Sequence, residues 1–122
     1  MAIIELTNEN FESMIEKHPF ICIDFWASWC TPCKSFKIIF EAVSQQFPEI
    51  TFAACDIEAN EELAEDFDIQ SVPHVMILRD QVAVYDESGL LDKETFTDLI
   101  MQAKALDMKA LKAEMDAEDD ED

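Results

Sequence analysis

Hydrophobic residues along the chain follow two kinds of pattern, and each kind predicts a different element. Short apolar runs are typical of strands. They occupy residues 2–6, 20–25, 50–55, 75–78 and 82–85. Apolar residues spaced three and four apart are typical of helices. They recur within residues 11–15, 34–47, 61–67 and 92–115. The predicted order is βαβαβαββα, which implies an α/β domain with a mixed sheet and helices on both faces.

Polar residues mark where several of these helices begin. Thr7 or Asn8 can cap the first helix and Asn60 the third, because their side-chain oxygens can accept from unpaired backbone N–H groups. The last helix is expected to continue without a break to about Met115, because residues 103–115 are rich in good helix formers. The acidic residues 118–122 are expected to be disordered, since short runs of like charge are usually solvated.

Cys30 and Cys33 lie two residues apart at the junction of the second strand and the second helix. The first turn of a helix offers unpaired N–H groups and the positive end of the helix dipole, and both stabilise a thiolate. Lys34 and Lys37 add positive charge nearby. Cys30 could attack a disulfide and Cys33 could then resolve the mixed disulfide. A CxxC pair at such a junction indicates thiol redox chemistry.

The net charge and the lengths of the apolar runs limit the partners and the location that we expect for the protein. The chain has 122 residues and a formal net charge of -20, and residues 114–122 contain seven acids and no base. This charge disfavours nucleic acid and anionic membranes as partners. No apolar run approaches the roughly 20 residues that a membrane span needs. The N-terminal residues lack the basic start and apolar centre of a signal peptide, so we expect a cytoplasmic protein.

The two remaining cysteines, Cys22 and Cys55, lie in apolar strands and are interpreted as small core residues. Zinc binding by four cysteines would need a second close pair, which the sequence lacks. We therefore predict no metal and no cofactor. Asp24 interrupts an otherwise apolar strand. Burial there would raise its pKa, so that it could accept a proton near neutral pH.

Taken together, these residues make the sequence similar to the thioredoxin family over about residues 2–105. The similarity rests on stretches in the family's order and spacing, namely Asp24-Phe25-Trp26-Ala27, Trp29-Cys30, Pro32-Cys33-Lys34, Ser71-Val72-Pro73 and Gly89. It implies the thioredoxin fold and a cis Val72–Pro73 bond lying against the cysteine pair. It also implies that the Val72 backbone pairs with a bound substrate strand. Trp29, Thr31, Pro32 and Gly89 would border the same groove.

The resemblance also implies a role for Asp24 as the buried base that activates Cys33. The alternative is a residual buried acid held by water. The sequence departs from the family's usual pattern at four positions: Thr31 replaces a glycine, Ile38 a proline, Ala54 a lysine beside the buried acid, and His74 a small or hydroxyl residue. Without that lysine, Asp24 should be harder to ionise. His74 itself is interpreted as a surface residue.

The implied function is a thiol-disulfide oxidoreductase that reduces protein disulfides through Cys30 and Cys33. Its partners would be disulfide-containing client proteins and thioredoxin reductase or another thiol donor, and it would act as a monomer. One alternative is a binding module that holds a partner in the groove and at the acidic C-terminus; another is an oxidase or isomerase. We divide the chain into a thioredoxin-like domain, residues 1–105, and a C-terminal helix extension with an acidic tail, residues 106–122.

Overall fold

The computed structural model of the protein describes residues 3–120, so the expectations for Ala2 and for residues 121–122 lie outside it. Its strands are β1 (Ile4–Glu5), β2 (Phe20–Trp26), β3 (Thr51–Asp56), β4 (His74–Arg79) and β5 (Val82–Ser88). Its helices are α1 (Phe11–Lys17), α2 (Thr31–Ser44), α3 (Glu61–Asp66), α4 (Lys93–Ala105) and α5 (Met108–Asp120).

The five strands form one sheet in the order β1-β3-β2-β4-β5. β3 runs parallel to both β1 and β2, whereas β4 runs antiparallel to β2 and to β5. The mixed sheet predicted from the sequence is therefore confirmed. β2 lies at its centre, where helices cover both faces, and this explains why its residues do not alternate between apolar and polar.

Each face of the sheet carries its own apolar core. α2 and α4 cover one face, where an aromatic cluster forms around Phe96, whose ring contacts the rings of Phe36 and Phe40 at centroid distances of 5.3 and 5.7 Å. α1 and α3 cover the other face, where Phe11 and Phe67 pack edge to face at 5.2 Å. The two cores enclose β2 from both sides, and β2 leads into the cysteine pair.

The starts of the first and third helices follow the sequence prediction only in part. The Thr7 hydroxyl oxygen accepts from the backbone N–H of Asn10 at 3.2 Å just before α1, as expected for one of its two predicted caps. α1 begins at Phe11 after Asn10, whose side chain accepts from the backbone N–H of Thr7 at 2.7 Å. Asn8 does not cap α1; its side-chain oxygen accepts from the N–H of Leu63 in the first turn of α3 at 3.1 Å. Asn60 precedes α3 but makes no capping bond of its own, because its oxygen accepts from the N–H of Asn8 at 3.0 Å. The two asparagines thus join the starts of α1 and α3.

The C-terminal region contains two helices where the sequence predicts one, so that prediction is wrong. Leu106 is extended, with φ -64° and ψ 137°, and ends α4. Asp107 starts a new helix, since its carboxylate accepts from the N–H of Ala110 at 3.1 Å. α5 continues to Asp120, so residues 118–120 are helical and not disordered.

α5 is attached to the end of the sheet that lies away from the cysteine pair. Met108 is buried, and the Lys112 ammonium lies 3.4 Å from the carboxylate of Asp80. Asp80 and Gln81 form the turn between β4 and β5, and both have positive φ, as the tight hairpin turn requires. Within residues 3–120, no helix has the length and apolar character needed to cross a bilayer.

Candidate active site

Cys30 and Cys33 form a disulfide at the start of α2, with their Cα atoms 5.3 Å apart. Cys30 is the N-cap residue of the helix, and its Sγ accepts a hydrogen bond from the backbone N–H of Cys33 at 3.1 Å. Thr31 and Pro32 follow as the first helical residues. Proline is well tolerated there because its missing N–H would have no partner in the helix. The local sequence thus directs an unpaired backbone donor at the sulfur of Cys30.

Both residues of the disulfide are nearly enclosed. Cys30 is 4% exposed and Cys33 is 3% exposed, so in the disulfide form their exposure is nearly equal. What distinguishes them is that Cys30 occupies the N-cap, where it accepts the N–H of Cys33, whereas Cys33 lies inside the first turn.

The segment before β4 lies directly against the disulfide. The Val72–Pro73 peptide bond is cis, and the carbonyl oxygen of Val72 lies 3.6 Å from the Sγ of Cys30. Because a disulfide sulfur has no hydrogen to donate, this is a contact and not a hydrogen bond. Gly89 donates its N–H to the carbonyl of Pro73 at 2.9 Å and has a φ of 128°, a value that side-chain-bearing residues rarely adopt.

Asp24 lies on β2 beneath the disulfide and is only 2% exposed. Its Oδ1 has no hydrogen-bond partner among the described residues. Burial away from water raises the pKa of Asp24 to about 7, because desolvation disfavours the charged carboxylate. Ala54 lies beside it on β3, so that the carboxyl faces a methyl group at the position of the family's lysine.

A cleft of about 590 Å³ connects Asp24 with Cys33. Lys34 and Lys37 of α2 and Ala54 of β3 also line it. The cleft brings Asp24 and Cys33 to a common space that opens to solvent. Cys30 is not among the residues that line this cleft.

The surface around the disulfide is built mostly from exposed residues. Trp29 is 66% exposed, and Thr31 and Pro32 are exposed as well. The loop before Trp29 is held by Ser28, whose hydroxyl donates to the carboxylate of Glu58 at 2.9 Å. Glu58 could not be identified from the sequence, because it is thirty positions from Ser28 and the two residues share no motif.

His74 is not a surface residue, so the sequence prediction for it is wrong. It is 9% exposed, and its Nε2 lies 2.5 Å from the Oδ1 of Asp86. It begins β4 immediately after Pro73. The pairing partner lies on β5, twelve residues away, and only the register of the hairpin identifies it.

The remaining cysteines behave as core residues. Cys22 and Cys55 are free and fully buried, on opposite faces of the sheet. Desolvation raises the pKa of the Cys22 thiol and raises that of Cys55 to about 12, which keeps both protonated and unreactive. Within residues 3–120, no group of three or more potential ligands is placed to hold a metal ion.

The family model for thioredoxin matches residues 2–102, which is most of the chain. The chain belongs to the thioredoxin family. A putative thioredoxin 2 from Streptomyces coelicolor is 45% identical over 107 residues, covering 88% of this chain and 80% of that protein. A thioredoxin from Chlamydia pneumoniae is 34% identical over 95 residues, covering 78% of this chain and 92% of the relative.

Solved thioredoxin structures share the fold. Chloroplastic thioredoxin z superposes with a TM-score of 0.79 at 22% identity, covering 87% of this chain and 97% of that one, which shows the fold alone. Plasmodium falciparum thioredoxin gives a TM-score of 0.76 at 25% identity, covering 82% of this chain and 98% of the other. With the close cysteine pair, the family membership makes this protein a thiol-disulfide oxidoreductase.

Proposed function

We propose that this protein reduces disulfides of client proteins, with Cys30 as the nucleophile and Cys33 as the resolving thiol. The Cys30 thiolate attacks one client sulfur, which forms a mixed disulfide and releases the other client sulfur as a thiolate. The Cys33 thiolate then attacks the Sγ of Cys30, which releases the second client sulfur and leaves the Cys30–Cys33 disulfide. Two electrons pass from the protein to the client, and each released thiolate takes up a proton.

The observation that carries this assignment is the hydrogen bond from the N–H of Cys33 to the Sγ of Cys30. A donor fixed at the helix start stabilises negative charge on Cys30, whether it attacks or is displaced. Cys33 has no equivalent position, because it lies within the first turn. The equal burial of the two residues gives no separate support, so the roles follow from helix geometry.

Asp24 is proposed to accept the proton of Cys33 when the mixed disulfide is resolved. The best proton acceptor has a pKa near the working pH, and the pKa of Asp24 at about 7 meets this condition. The shared cleft supports the pairing, since it reaches both Asp24 and Cys33. The proton can then leave through the open side of the cleft while the client still covers Cys30.

The client is proposed to bind as an extended strand along the groove beside the disulfide. Val72 and Pro73 would form one side, with the backbone of Val72 pairing with the client. Trp29 and Gly89 would border the groove, and Thr31 and Pro32 would contact the client near the attacked sulfur. The large exposed fraction of Trp29 supports this proposal, because it offers apolar area that only a partner could cover.

Turnover needs a supply of electrons, because one reaction leaves the pair oxidised. The partners are therefore disulfide-containing proteins on one side and a thiol donor on the other, and we propose thioredoxin reductase as that donor. We also propose that the protein works as a monomer in a reducing compartment such as the cytoplasm, where a thiol pool maintains the dithiol. The findings favour this redox function over the binding module.

We propose that residues 1–105 suffice for this chemistry and that residues 106–122 are an addition. The match to the family model ends at residue 102, and α5 is tied to the turn at Asp80. Because β4 runs antiparallel to β2, that turn lies at the end of the sheet opposite the disulfide.

Trapping of client proteins tests the proposed roles. Cys33→Ser should accumulate mixed disulfides with clients, because attack proceeds and resolution cannot. Cys30→Ser should trap few or none, and the double variant serves as the matched control. The wild type should reduce insulin with thioredoxin reductase and NADPH or with dithiothreitol. If Cys30→Ser is the variant that traps clients, the roles must be exchanged; an inactive wild type would refute the function.

A further inference from the structure

The pair formed by His74 and Asp86 lies next to the proposed client groove and has no part in the redox chemistry described above. His74 follows Pro73 directly, and its Nε2 lies 2.5 Å from the Oδ1 of Asp86. Its ring also packs edge to face against Phe25, with the ring centroids 6.0 Å apart. The histidine is nearly enclosed, whereas the side chain of Asp86 is 45% exposed.

This pair is one of several links that join the segment before β4 to the end of β5. The carbonyl of Pro73 accepts from the N–H of Gly89, and His74 lies opposite Ser88 in the antiparallel ladder. The bond from His74 to Asp86 adds a side-chain link between the same two strands, because Asp86 lies two residues before Ser88 on β5. On the other side of Pro73, the carbonyl oxygen of Val72 lies 3.6 Å from the Sγ of Cys30.

His74 and Asp24, the proposed base, lie on opposite faces of the sheet. His74 lies opposite Phe25 on β2, and Asp24 lies opposite Val75. Successive residues of a strand point to opposite faces, so His74 is on the face covered by α1 and α3, while Asp24 faces α2 and α4. His74 therefore makes no direct contact with Asp24, whereas its neighbour Pro73 belongs to the segment that lies against the disulfide.

We propose that His74 is a positioning residue for client binding: its bond to Asp86 holds the Val72–Pro73 segment against the end of β5 and so sets the shape of the client groove. This inference rests on the proposed reduction of protein disulfides. It concerns recognition of an extended client backbone, not the reactivity of the sulfurs. A small disulfide, which needs only the sulfur of Cys30, is therefore indifferent to the pair.

The test compares His74→Leu, Asp86→Ala and the double variant with the wild type. Single-turnover reduction of a disulfide-bonded peptide, followed by tryptophan fluorescence, gives KM and the limiting rate. Each single variant should raise KM about five-fold, a size typical of losing one partly exposed, charge-assisted hydrogen bond. The limiting rate and the rate with hydroxyethyl disulfide should stay at the wild-type value, and the double variant should be no worse than either single variant.

His74→Gln provides the rescue, because its Nε2 can donate from nearly the same place; its KM should return to near the wild-type value. Asp86→Ala keeps the test valid if His74→Leu fails to fold, since Asp86 is half exposed and its loss empties no core. An unchanged KM in Asp86→Ala overturns the inference, as does an equal loss of rate with hydroxyethyl disulfide or additive effects in the double variant. A wild type that reduces hydroxyethyl disulfide but not the peptide would instead refute the proposed function.

Discussion

Replacing Asp24 by asparagine should stabilise the oxidised protein, and the gain should grow with pH. The carboxyl is buried, its Oδ1 has no hydrogen-bond partner among the described residues, and Ala54 beside it supplies no positive charge. Ionising the carboxyl in this position must therefore destabilise the folded state. Asparagine has nearly the same shape and never ionises, so it removes the penalty while the packing of β2 is kept.

The magnitude follows from the pKa of Asp24, which burial raises from 3.8 to about 7. Each unit of pKa difference between the folded and unfolded states is worth about 1.4 kcal/mol, so the ionised group destabilises the fold by about 4 kcal/mol. The sign is set by proton binding. Between pH 3.8 and about pH 7, Asp24 holds a proton in the folded state that it has released in the unfolded state. The free energy of unfolding therefore falls as pH rises through this range.

Urea unfolding of oxidised wild type and Asp24→Asn at pH 5 and pH 8 measures this effect. The other acidic groups titrate in both proteins, so they cancel when the two free energies of unfolding are subtracted. The advantage of the variant should increase by about 3 kcal/mol between the two pH values and then level off. An advantage that is the same at both pH values would refute a raised pKa for Asp24. An advantage that shrinks with rising pH would show that a hidden partner stabilises the carboxylate.

Three further predictions concern the rest of the molecule. Thiol counting by alkylation of the oxidised, unfolded protein should find two free groups, those of Cys22 and Cys55; finding none would contradict their assignment as core residues. Truncation after Ala105 should leave disulfide reduction intact and lower the free energy of unfolding by about 2 kcal/mol, since the apolar surface under α5 is exposed; lost activity in a stably folded truncation would contradict it. Asn8→Ala should cost about 1 kcal/mol in urea unfolding, because the N–H of Leu63 loses its acceptor; no loss would mean that water replaces the cap.

Much of the fold could be predicted because the hydrophobic pattern is local. The apolar run of β2, which only Asp24 interrupts, indicates a buried strand. Apolar residues spaced three and four apart indicate the helix after Cys30. The caps could not be read in the same way. Asn8 stands beside the start of α1 in the sequence, yet it caps α3, and that choice depends on how the two helices meet in space. Asp107 lies among good helix formers, so helix propensity alone does not indicate that α4 ends before it and that its side chain caps α5.

The cysteine pair could be predicted as a redox site because two residues and one helix start define it. The pairing of His74 with Asp86 could not, because it depends on a bulge. If β4 and β5 paired without a bulge, counting back from the two-residue turn would place His74 opposite Glu87. The side chain of Asp86 would then lie on the opposite face of the sheet from His74. The register shift between Ile77 and Leu78 moves His74 opposite Ser88 and brings Asp86 to its own face. The alternation of apolar and polar residues along a strand does not indicate where one strand contains an extra residue.

The instability at Asp24 and its proposed function as a base have the same physical origin. A lysine beside the carboxyl would stabilise the carboxylate and so lower its pKa. The folded state would then carry a smaller penalty at high pH, but the carboxylate would also be a weaker proton acceptor for Cys33 near neutral pH. With Ala54 in that place, desolvation acts unopposed and the pKa of Asp24 stays near 7. The chain thus keeps an acid whose ionisation destabilises the fold as pH rises from 3.8 to about 7, at the position where we propose that the proton of Cys33 is accepted.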